Sequence, residues 1–233
     1  MNTIITGASK GIGRALAEKF ASEGHNLAIC ARNEENLKSL KKELESKYSG
    51  IRVLIKSTDI SKKKDVLAFA DATLKMFGSI DVLINNGGIF LSGSTCEENE
   101  GTLEKLIETN LYSAYHLTRA IVPFMTSTAK PHIFNMCSIA SQTAYPNGGS
   151  YSISKFALLG FTKVLRQELL DKGIRVTAVL PGATWSDSWA GVDLPQERLM
   201  DAADIADTIW AAYTLKKSAV VEEVIIRPQL GDL

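Results

Sequence analysis

The sequence predicts a single α/β domain, residues 1–233, built as a doubly wound parallel sheet of about seven strands with helices on both faces. Seven short runs rich in apolar and β-branched residues alternate with longer segments of helical period. The strand runs are nearly continuous in apolar residues, as at 27–31, which indicates that helices cover both faces of the sheet. No internal repeat or low-complexity tract divides the chain, and this favours one sheet.

The elements follow from apolar runs and from helix-end signals. Strands are predicted at 2–6, 26–31, 51–57, 80–85, 131–137, 174–180 and 220–226. Asn33, followed by two glutamates, is the predicted N-cap of the second helix, and Ser61 is the predicted cap of the third. Two long helices are expected near 102–124 and 152–172. Glycines stand where three helices should end, at Gly24, Gly78 and Gly173.

Composition excludes several classes of protein. The 26 Lys and Arg residues balance 26 Asp and Glu residues, so no overall basic field exists to attract nucleic acid or anionic lipid. No apolar run approaches the roughly 20 residues that span a bilayer, and no signal segment is visible at the N-terminus. We therefore expect a cytoplasmic protein with no nucleic-acid or membrane partner.

The three cysteines, Cys30, Cys96 and Cys137, are odd in number and widely spaced. This spacing argues against a disulfide framework and against a zinc site. The three histidines are equally scattered, so no metal is expected. Cys137 has no nearby His or second Cys that would activate it, and we assign it no function.

A glycine-rich turn joins the first strand to the first helix, in the segment Thr6-Gly7-Ala8-Ser9-Lys10-Gly11-Ile12-Gly13. Glycine lets the chain turn tightly and approach a pyrophosphate, which would face the helix N-terminus. A tight strand-to-helix connection alone would also need glycines. The spacing GxxxGxG resembles the TGxxxGxG signature of the short-chain dehydrogenase/reductase family. The resemblance implies a Rossmann-type fold and a dinucleotide bound by Gly7, Ser9, Lys10, Gly11, Ile12 and Gly13.

The second predicted strand ends at Arg32, without the acidic residue that would bind a free ribose 2′-hydroxyl. Arg32 and Lys10 could instead bind a 2′-phosphate, as they do in family members that prefer NADP. We therefore expect NADP(H) rather than NAD(H), with two ordinary surface cations as the alternative. Asp59 and Ile60 resemble the family's adenine contact, although an isolated Asp would indicate only a turn.

Tyr151 and Lys155 lie four residues apart at the start of a helical segment, so both project from one helix face. An adjacent ammonium is expected to lower the pKa of the phenol. The same spacing occurs at Tyr213 and Lys217, in a segment that predicts an ordinary amphipathic helix. What distinguishes Tyr151 is Ser138, which stands upstream at the end of the fifth strand.

The resemblance implies a function for each of these positions. Ser138 binds the substrate oxygen, Tyr151 exchanges its proton, Lys155 lowers the pKa of Tyr151 and binds the nicotinamide ribose, and the Asn110 backbone holds a water that relays protons. The segment Asn85-Asn86-Gly87-Gly88 resembles the family's NNAG, with Gly87 in place of alanine. Further cofactor contacts are expected at Asn86, Gly87, Gly88, Pro181, Gly182, Thr184 and Ser186.

The segment 183–200 is the expected substrate lid, and it is short. Trp185 and Trp189 in this lid either contact an aromatic substrate or pack the lid onto the protein. The long helices near 102–124 and 152–172 are the surfaces through which similar proteins form homodimers or homotetramers.

The resemblance implies an NADP(H)-dependent oxidoreductase that transfers a hydride between nicotinamide and a ketone or secondary alcohol. One alternative is a 3-oxoacyl-acyl-carrier-protein reductase, which would need a basic docking patch for its acidic carrier, for example from Arg119, Lys130 or Arg166. Another is a non-catalytic NADP-binding sensor or scaffold. Intact Asn110, Ser138, Tyr151 and Lys155 favour catalysis.

Overall fold

The computed structural model describes residues 1–125, 128–185, 195 and 198–231. Within these residues, seven strands form one parallel sheet in the order β3-β2-β1-β4-β5-β6-β7. The chain therefore winds outward from β1 in one direction and from β4 in the other, which confirms the predicted doubly wound α/β class. The strands are β1 Asn2–Thr6, β2 Asn26–Ala31, β3 Val53–Ser57, β4 Val82–Asn85, β5 His132–Met136, β6 Arg175–Pro181 and β7 Glu223–Ile226.

Helices cover both faces of this sheet. They are α1 Gly11–Ser22, α2 Glu34–Lys47, α3 Lys63–Phe77, α4 Thr102–Ile107, α5 Ser113–Ile121, α6 Gly149–Leu169 and α7 Ala202–Thr214. A π-helical turn, Glu108–Tyr112, joins α4 to α5, and short 3-10 helices lie at Val122–Phe124 and Ile139–Ser141. The predicted long helix near 102–124 is therefore present, but it contains a π-helical turn and ends in a 3-10 turn.

The apolar core is divided between the two faces because successive strand residues point to opposite sides. Ile5 and Ile84 pack with α1, α2 and α7 on one face. Ile4 and Leu83 pack with α3, α5 and α6 on the other. This division explains the continuous apolar composition of the strands, since neither face is left to solvent.

Two predicted caps have different outcomes. Asn33 caps α2 as expected, since its side-chain oxygen accepts a hydrogen bond of 2.9 Å from the Asn36 N–H. The prediction for Ser61 is wrong, because its hydroxyl donates to the Asp59 carboxylate at 2.7 Å and α3 begins after Lys62 without a side-chain cap. An adjacent carboxylate competes successfully for the serine hydroxyl.

Two buried amides pair across the centre of the sheet. Asn85 and Asn135 stand opposite each other in β4 and β5. The Asn85 amide donates to the Asn135 side-chain oxygen at 2.8 Å and to the Thr118 hydroxyl at 3.0 Å. Asn135 in turn donates to the Thr162 hydroxyl at 2.9 Å. We call these four residues the amide ladder, and it links the sheet to α5 and α6.

In the described part of the chain, no helix has both the length and the apolar character required to cross a bilayer. No three His, Cys, Asp or Glu side chains in these ranges are grouped as metal ligands.

Candidate active site

A cavity of about 950 Å³ opens beyond the carboxyl ends of β4, β5 and β6. This is the edge at which doubly wound sheets bind ligands. Many of the residues singled out in the sequence meet here although they come from separate elements. The cavity is lined by, among others, Ile12, Asn86, Gly88, Ser138, Tyr151, Lys155, Pro181, Gly182 and Thr184.

Ser138 follows β5 and caps the short 3-10 helix at Ile139–Ser141. Its hydroxyl oxygen accepts from the Ala140 N–H at 3.1 Å, and the Ser141 hydroxyl oxygen accepts from the Ser138 N–H at 3.1 Å. These reciprocal bonds fix the serine in place. The Ser138 side chain also interacts with the Tyr151 hydroxyl in the direction that lowers the pKa of the phenol, and both residues line the cavity.

The phenol of Tyr151 does not have the expected acidity. Burial raises its pKa above the usual value of 10, although the hydrogen bond from Ser138 acts in the opposite direction. The Lys155 Nζ atom lies 5.8 Å from the centre of the Tyr151 ring. The net result in this structure is a raised pKa, so the lowered pKa expected for Tyr151 is not observed.

The Lys155 side chain is buried beneath the cavity. Its ammonium donates a hydrogen bond of 2.8 Å to the Met136 carbonyl oxygen at the end of β5. Burial lowers the pKa of this lysine to about 8, because an ammonium is poorly stabilised away from water. The protein therefore holds a cation, close to its titration point, under the two hydroxyls.

Asn110 lies in the π-helical turn, and its side chain is 2% exposed. Its amide oxygen accepts from the Ile89 N–H at 2.8 Å, and its amide nitrogen donates to the Ile89 carbonyl at 3.0 Å and to the Ser154 hydroxyl at 2.9 Å. The side chain therefore connects the segment after β4 to α6. Sequence reasoning considered only the backbone of Asn110 and missed this connection.

The glycine-rich turn is packed too closely for larger residues. A Cβ atom on Gly13 would lie 2.2 Å from the Gly7 carbonyl oxygen, and Gly7 itself has a φ of +66°. The first turn of α1 contains no acidic residue and has no side-chain cap. Its backbone N–H groups thus suit an anionic ligand at the helix N-terminus.

Thr6 is a site residue that sequence reasoning missed. Its hydroxyl oxygen accepts from the N–H groups of Asn86 at 3.0 Å and Gly87 at 2.8 Å. The Asn86 side-chain amide donates a hydrogen bond of 2.9 Å to the Thr6 carbonyl oxygen. The available sequence signal was a hydroxyl residue at the end of an apolar strand. In the structure, the Thr6 hydroxyl links β1 to the end of β4.

The expected adenine end of the site contains Asp59 and Ile60. The Asp59 carboxylate accepts from the Ser61 hydroxyl and N–H, and these bonds lower the pKa of Asp59. The Cδ1 atom of Ile60 occupies space that an alanine at Gly87 would need, since a Cβ there would lie 2.5 Å from it. Glycine in place of alanine thus brings Ile60 closer to the loop. Lys10 and Arg32 are both exposed at this end.

The far wall of the cavity is formed by the chain after β6. The Gly182 N–H donates to the Ile226 carbonyl at 2.8 Å, and the Thr184 hydroxyl donates to the Gly182 carbonyl at 3.0 Å. Trp185 is 45% exposed, and its backbone N–H donates to the Met200 carbonyl at 2.9 Å. Ser186, Trp189 and most of the expected lid at 183–200 lie outside the described residues.

Two aromatic residues at the cavity mouth were also missed. Phe90 is 50% exposed, and its ring meets the Tyr151 ring edge to face at a centroid distance of 4.8 Å. Tyr145 is 39% exposed and lines the same cavity. Neither residue belongs to a motif, so only their place in the fold reveals them. We call Phe90 and Tyr145 the aromatic mouth.

The second Tyr and Lys pair, Tyr213 and Lys217, and the cysteine beside Ser138 are not part of the candidate site. Tyr213 lies in the core on α7, and its hydroxyl donates to the Met1 sulfur at 3.2 Å. Lys217 follows the end of that helix and is exposed. Burial raises the pKa of the Cys137 thiol to about 11, which leaves it protonated and unreactive near neutral pH.

The chain is similar to a known protein family and to several curated proteins. Residues 1–196 match the short chain dehydrogenase family. The chain is 34% identical over 209 residues to a diacetyl reductase [(S)-acetoin forming] of Staphylococcus epidermidis, covering 89% of this chain and 80% of that protein. It is 32% identical over 238 residues to a sepiapterin reductase of Chlorobaculum tepidum, covering 99% and 97%.

Among solved structures, an alcohol dehydrogenase from the archaeon Thermococcus sibiricus, complexed with 5-hydroxy-NADP, superposes with a TM-score of 0.90. It is 28% identical, and the match covers 98% of this chain and 96% of that one. The family match over residues 1–196 includes the glycine-rich turn, Ser138, Tyr151 and Lys155. The chain therefore belongs to the short-chain dehydrogenase family of oxidoreductases.

Proposed function

We propose that this protein is an NADP(H)-dependent carbonyl reductase that also catalyses the reverse reaction, the oxidation of a secondary alcohol. The observation that carries the proposal is the meeting of the Ser138 and Tyr151 hydroxyls above the buried Lys155 ammonium, in a cavity beside the glycine-rich turn. Two donors facing one point suit an oxygen that gains negative charge during a reaction. A carbonyl oxygen undergoing reduction is such an atom.

The residues present fit a dinucleotide. The close approach of Gly13 to Gly7 and the acid-free first turn of α1 suit a pyrophosphate. When bound, nicotinamide supplies the hydride that is exchanged with the substrate carbon. The residues proposed to hold the dinucleotide are Gly7, Ser9, Lys10, Gly11, Ile12, Gly13, Arg32, Asp59, Ile60, Asn86, Gly87, Gly88, Tyr151, Lys155, Pro181, Gly182, Thr184 and Ser186.

The protein's own groups have separate tasks in this proposal. The Ser138 hydroxyl orients the substrate oxygen, and the Tyr151 phenol gives a proton to it during reduction and takes the proton back during oxidation. Lys155 places a positive charge beneath this point, and its hydrogen bond to Met136 fixes its position. Asn110 holds the segment after β4 against α6, and its backbone is proposed to complete a proton relay.

The preference for NADP(H) over NAD(H) rests on the end of β2. Arg32 follows β2 directly and Lys10 stands just before α1, and both are exposed cations. The end of β2 carries no acid that would repel a phosphate. A guanidinium and an ammonium together form charge-assisted hydrogen bonds with a 2′-phosphate. The Thermococcus sibiricus enzyme, which binds 5-hydroxy-NADP, gives further support.

We propose small ketones and vicinal diketones with an apolar or aromatic substituent as substrates. The aromatic mouth and the apolar side chains of Ile89 and Ile139 line the cavity near the two hydroxyls. Such a wall buries an apolar substituent while the carbonyl oxygen reaches the donors. The relatives named as diacetyl and sepiapterin reductases are consistent with this choice.

A 3-oxoacyl-acyl-carrier-protein reductase is less well supported. Arg166 is buried and donates to the carbonyls of Val176 and Glu222, so it offers no surface charge. Lys130 precedes β5, and Arg119 lies near the end of α5, so both lie toward the edge of the sheet opposite the cavity. These three cations therefore do not form a basic patch at the entrance.

We also propose self-assembly into a homodimer or homotetramer, in the cytoplasm. On α6, the apolar residues Ile153, Phe156 and Val164 are 44%, 45% and 56% exposed. Leu103 and Tyr112, from the interrupted helix 102–124, are exposed as well. Apolar faces of this kind are favoured contacts between subunits. A molecular mass equal to that of the monomer in light scattering would reject assembly.

A cofactor-consumption screen tests the main proposal. Purified protein is mixed with NADPH or NADH and with a panel of ketones, vicinal diketones, 3-oxoacyl thioesters and quinones, and the loss of reduced dinucleotide is followed. We expect turnover of ketones or diketones with NADPH. Tight NADPH binding without turnover of any panel member would instead support the sensor or scaffold alternative.

A further inference from the structure

The loop between β4 and α4 forms one wall of the cavity and is tied to the start of α6. The Gly93 N–H and the Ser92 hydroxyl donate to the Asn147 carbonyl at 3.0 and 3.2 Å. Farther along, the Glu98 carboxylate accepts from the Ser150 N–H at 3.0 Å and also from the Ser150 hydroxyl. Glu98 thus binds both donors of the residue immediately before Tyr151.

The contact between Glu98 and α6 depends on a glycine. Gly149 has a φ of +31°, and a Cβ atom there would lie 2.1 Å from the Glu98 Oε1 atom and 2.4 Å from the Gly93 carbonyl oxygen. No other residue would let the carboxylate approach this closely. Ser150 is only 3% exposed, so Glu98 and not bulk solvent satisfies its two donors.

The charge of Glu98 also suits its position. The first turn of α6 has no acidic residue of its own. A carboxylate at a helix N-terminus accepts bonds from backbone N–H groups and interacts favourably with the helix dipole. Here the carboxylate comes from a different segment, so the same contact that caps α6 also holds the cavity wall in place.

We propose that Glu98 is a positioning residue, which fixes the first turn of α6 so that Tyr151 meets Ser138 and so that Phe90 packs on the Tyr151 ring. This inference rests on the proposed reductase function. Displacing a reacting group by about 1 Å can reduce turnover roughly 100-fold. Glu98 would therefore affect turnover without touching either the substrate or the dinucleotide.

Three variants test this proposal, with a matched control. Glu98→Ala removes both acceptors, whereas Glu98→Gln keeps an amide oxygen for the Ser150 N–H and offers an N–H to the Ser150 hydroxyl oxygen. Ser150→Ala removes only the hydroxyl bond and is the milder change. The control is Glu97→Ala, which removes an exposed carboxylate from the same loop.

For Glu98→Ala we expect kcat to fall at least about tenfold, while the Kd for NADPH, measured by fluorescence titration, stays within about twofold. Glu98→Gln should restore kcat to within about threefold of wild type, because a neutral amide can maintain the geometry. Amide hydrogen exchange should become faster at the first turn of α6 in Glu98→Ala and remain unchanged in Glu97→Ala. NADPH binding shows that each variant is folded.

The outcomes separate this inference from the proposed function. If wild type turns over no carbonyl compound, the reductase proposal fails and the inference fails with it. If wild type is active and Glu98→Ala retains its kcat, only the inference fails. Equal losses of kcat and NADPH affinity in Glu98→Ala, without rescue by Glu98→Gln, would show a general structural defect and would also overturn it.

Discussion

Ser138 and Tyr151 line the same cavity, and the Ser138 side chain interacts with the Tyr151 hydroxyl in the direction that lowers its pKa. One comes from the first turn of α6 and the other from the cap of a short 3-10 helix, so separate elements create the pair. Each is held by its own local contacts, Ser138 by its reciprocal bonds with the 3-10 helix and Tyr151 by Phe90. The donors are therefore arranged before any substrate oxygen arrives, which lowers the cost of organising them during reaction.

Replacing Tyr151 with Phe removes the proposed proton donor while keeping the ring that packs on Phe90. We expect kcat to fall by roughly 10²- to 10⁴-fold, as is typical of a lost general acid, with NADPH affinity largely unchanged. Steady-state kinetics and a binding titration check this. The matched control is Tyr213→Phe, which alters the second pair at the same spacing and should retain turnover. Retained activity in Tyr151→Phe would refute the proton-donor assignment.

The buried Lys155 gives stability a specific pH dependence. Its pKa is about 8 in the folded chain, against 10.5 for an ordinary lysine. Between these values the unfolded chain binds a proton that the folded chain has released, so the free energy of unfolding rises with pH by up to about 1.4 kcal/mol per unit. Below this window both states are protonated, and the contribution no longer changes.

Lys155→Met should remove that dependence along with turnover. We therefore expect wild type to gain stability relative to Lys155→Met as pH rises from 8 to 10, measured by urea unfolding at each pH. Lys217→Met, at the exposed lysine of the second pair, controls for the loss of a positive charge. Parallel stability curves for wild type and Lys155→Met would contradict the lowered pKa.

Arg32→Asp tests the choice of dinucleotide. A carboxylate at the end of β2 would repel a 2′-phosphate and accept a bond from a free 2′-hydroxyl. We expect the Kd for NADPH to rise at least about tenfold and NADH binding to improve, since a charge-assisted contact is lost. Lys42→Asp, on the exposed side of α2, makes the same charge change away from the site. Unchanged preference in Arg32→Asp would exclude Arg32 from 2′-phosphate binding.

Phe90→Ala tests the aromatic mouth with two related substrates, butane-2,3-dione and 1-phenylpropane-1,2-dione. The loss of the Phe90–Tyr151 contact affects both substrates alike, whereas only the phenyl substituent would lose a contact with the ring. We therefore expect KM for the phenyl compound to rise about tenfold, equivalent to about 1.4 kcal/mol. The KM for the smaller diketone should change much less. Phe124→Ala, on an exposed Phe in the 3-10 helix after α5, is the control. Equal effects on both substrates would reject the proposed subsite.

The sheet was predictable because its strands carry a strong local signal. All seven predicted runs contain an observed strand, except that β6 continues one residue further, through Pro181. The glycine-rich turn was equally visible, since Gly7 and Gly13 are required by backbone geometry and close packing. Local sequence records such constraints directly.

Contacts between distant segments were not predictable. Nothing near Glu98 indicates that it meets Ser150, and nothing near Phe90 indicates that it packs on Tyr151, because both contacts exist only once the sheet has formed. The π-helical turn was missed for the same reason, since Asn110 is held there by Ile89 and Ser154. The pKa of Tyr151 was misjudged because burial raises it more than the contact with Ser138 lowers it.

The amide ladder restricts the register of β4 against β5. A shift of β4 against β5 would separate Asn85 from Asn135, and the Asn135 side-chain oxygen would then lose its bond from the Asn85 amide inside the buried sheet. The pair therefore favours one register between two strands that end at the cavity. Correct alignment there is what brings the segment after β4 level with Ser138.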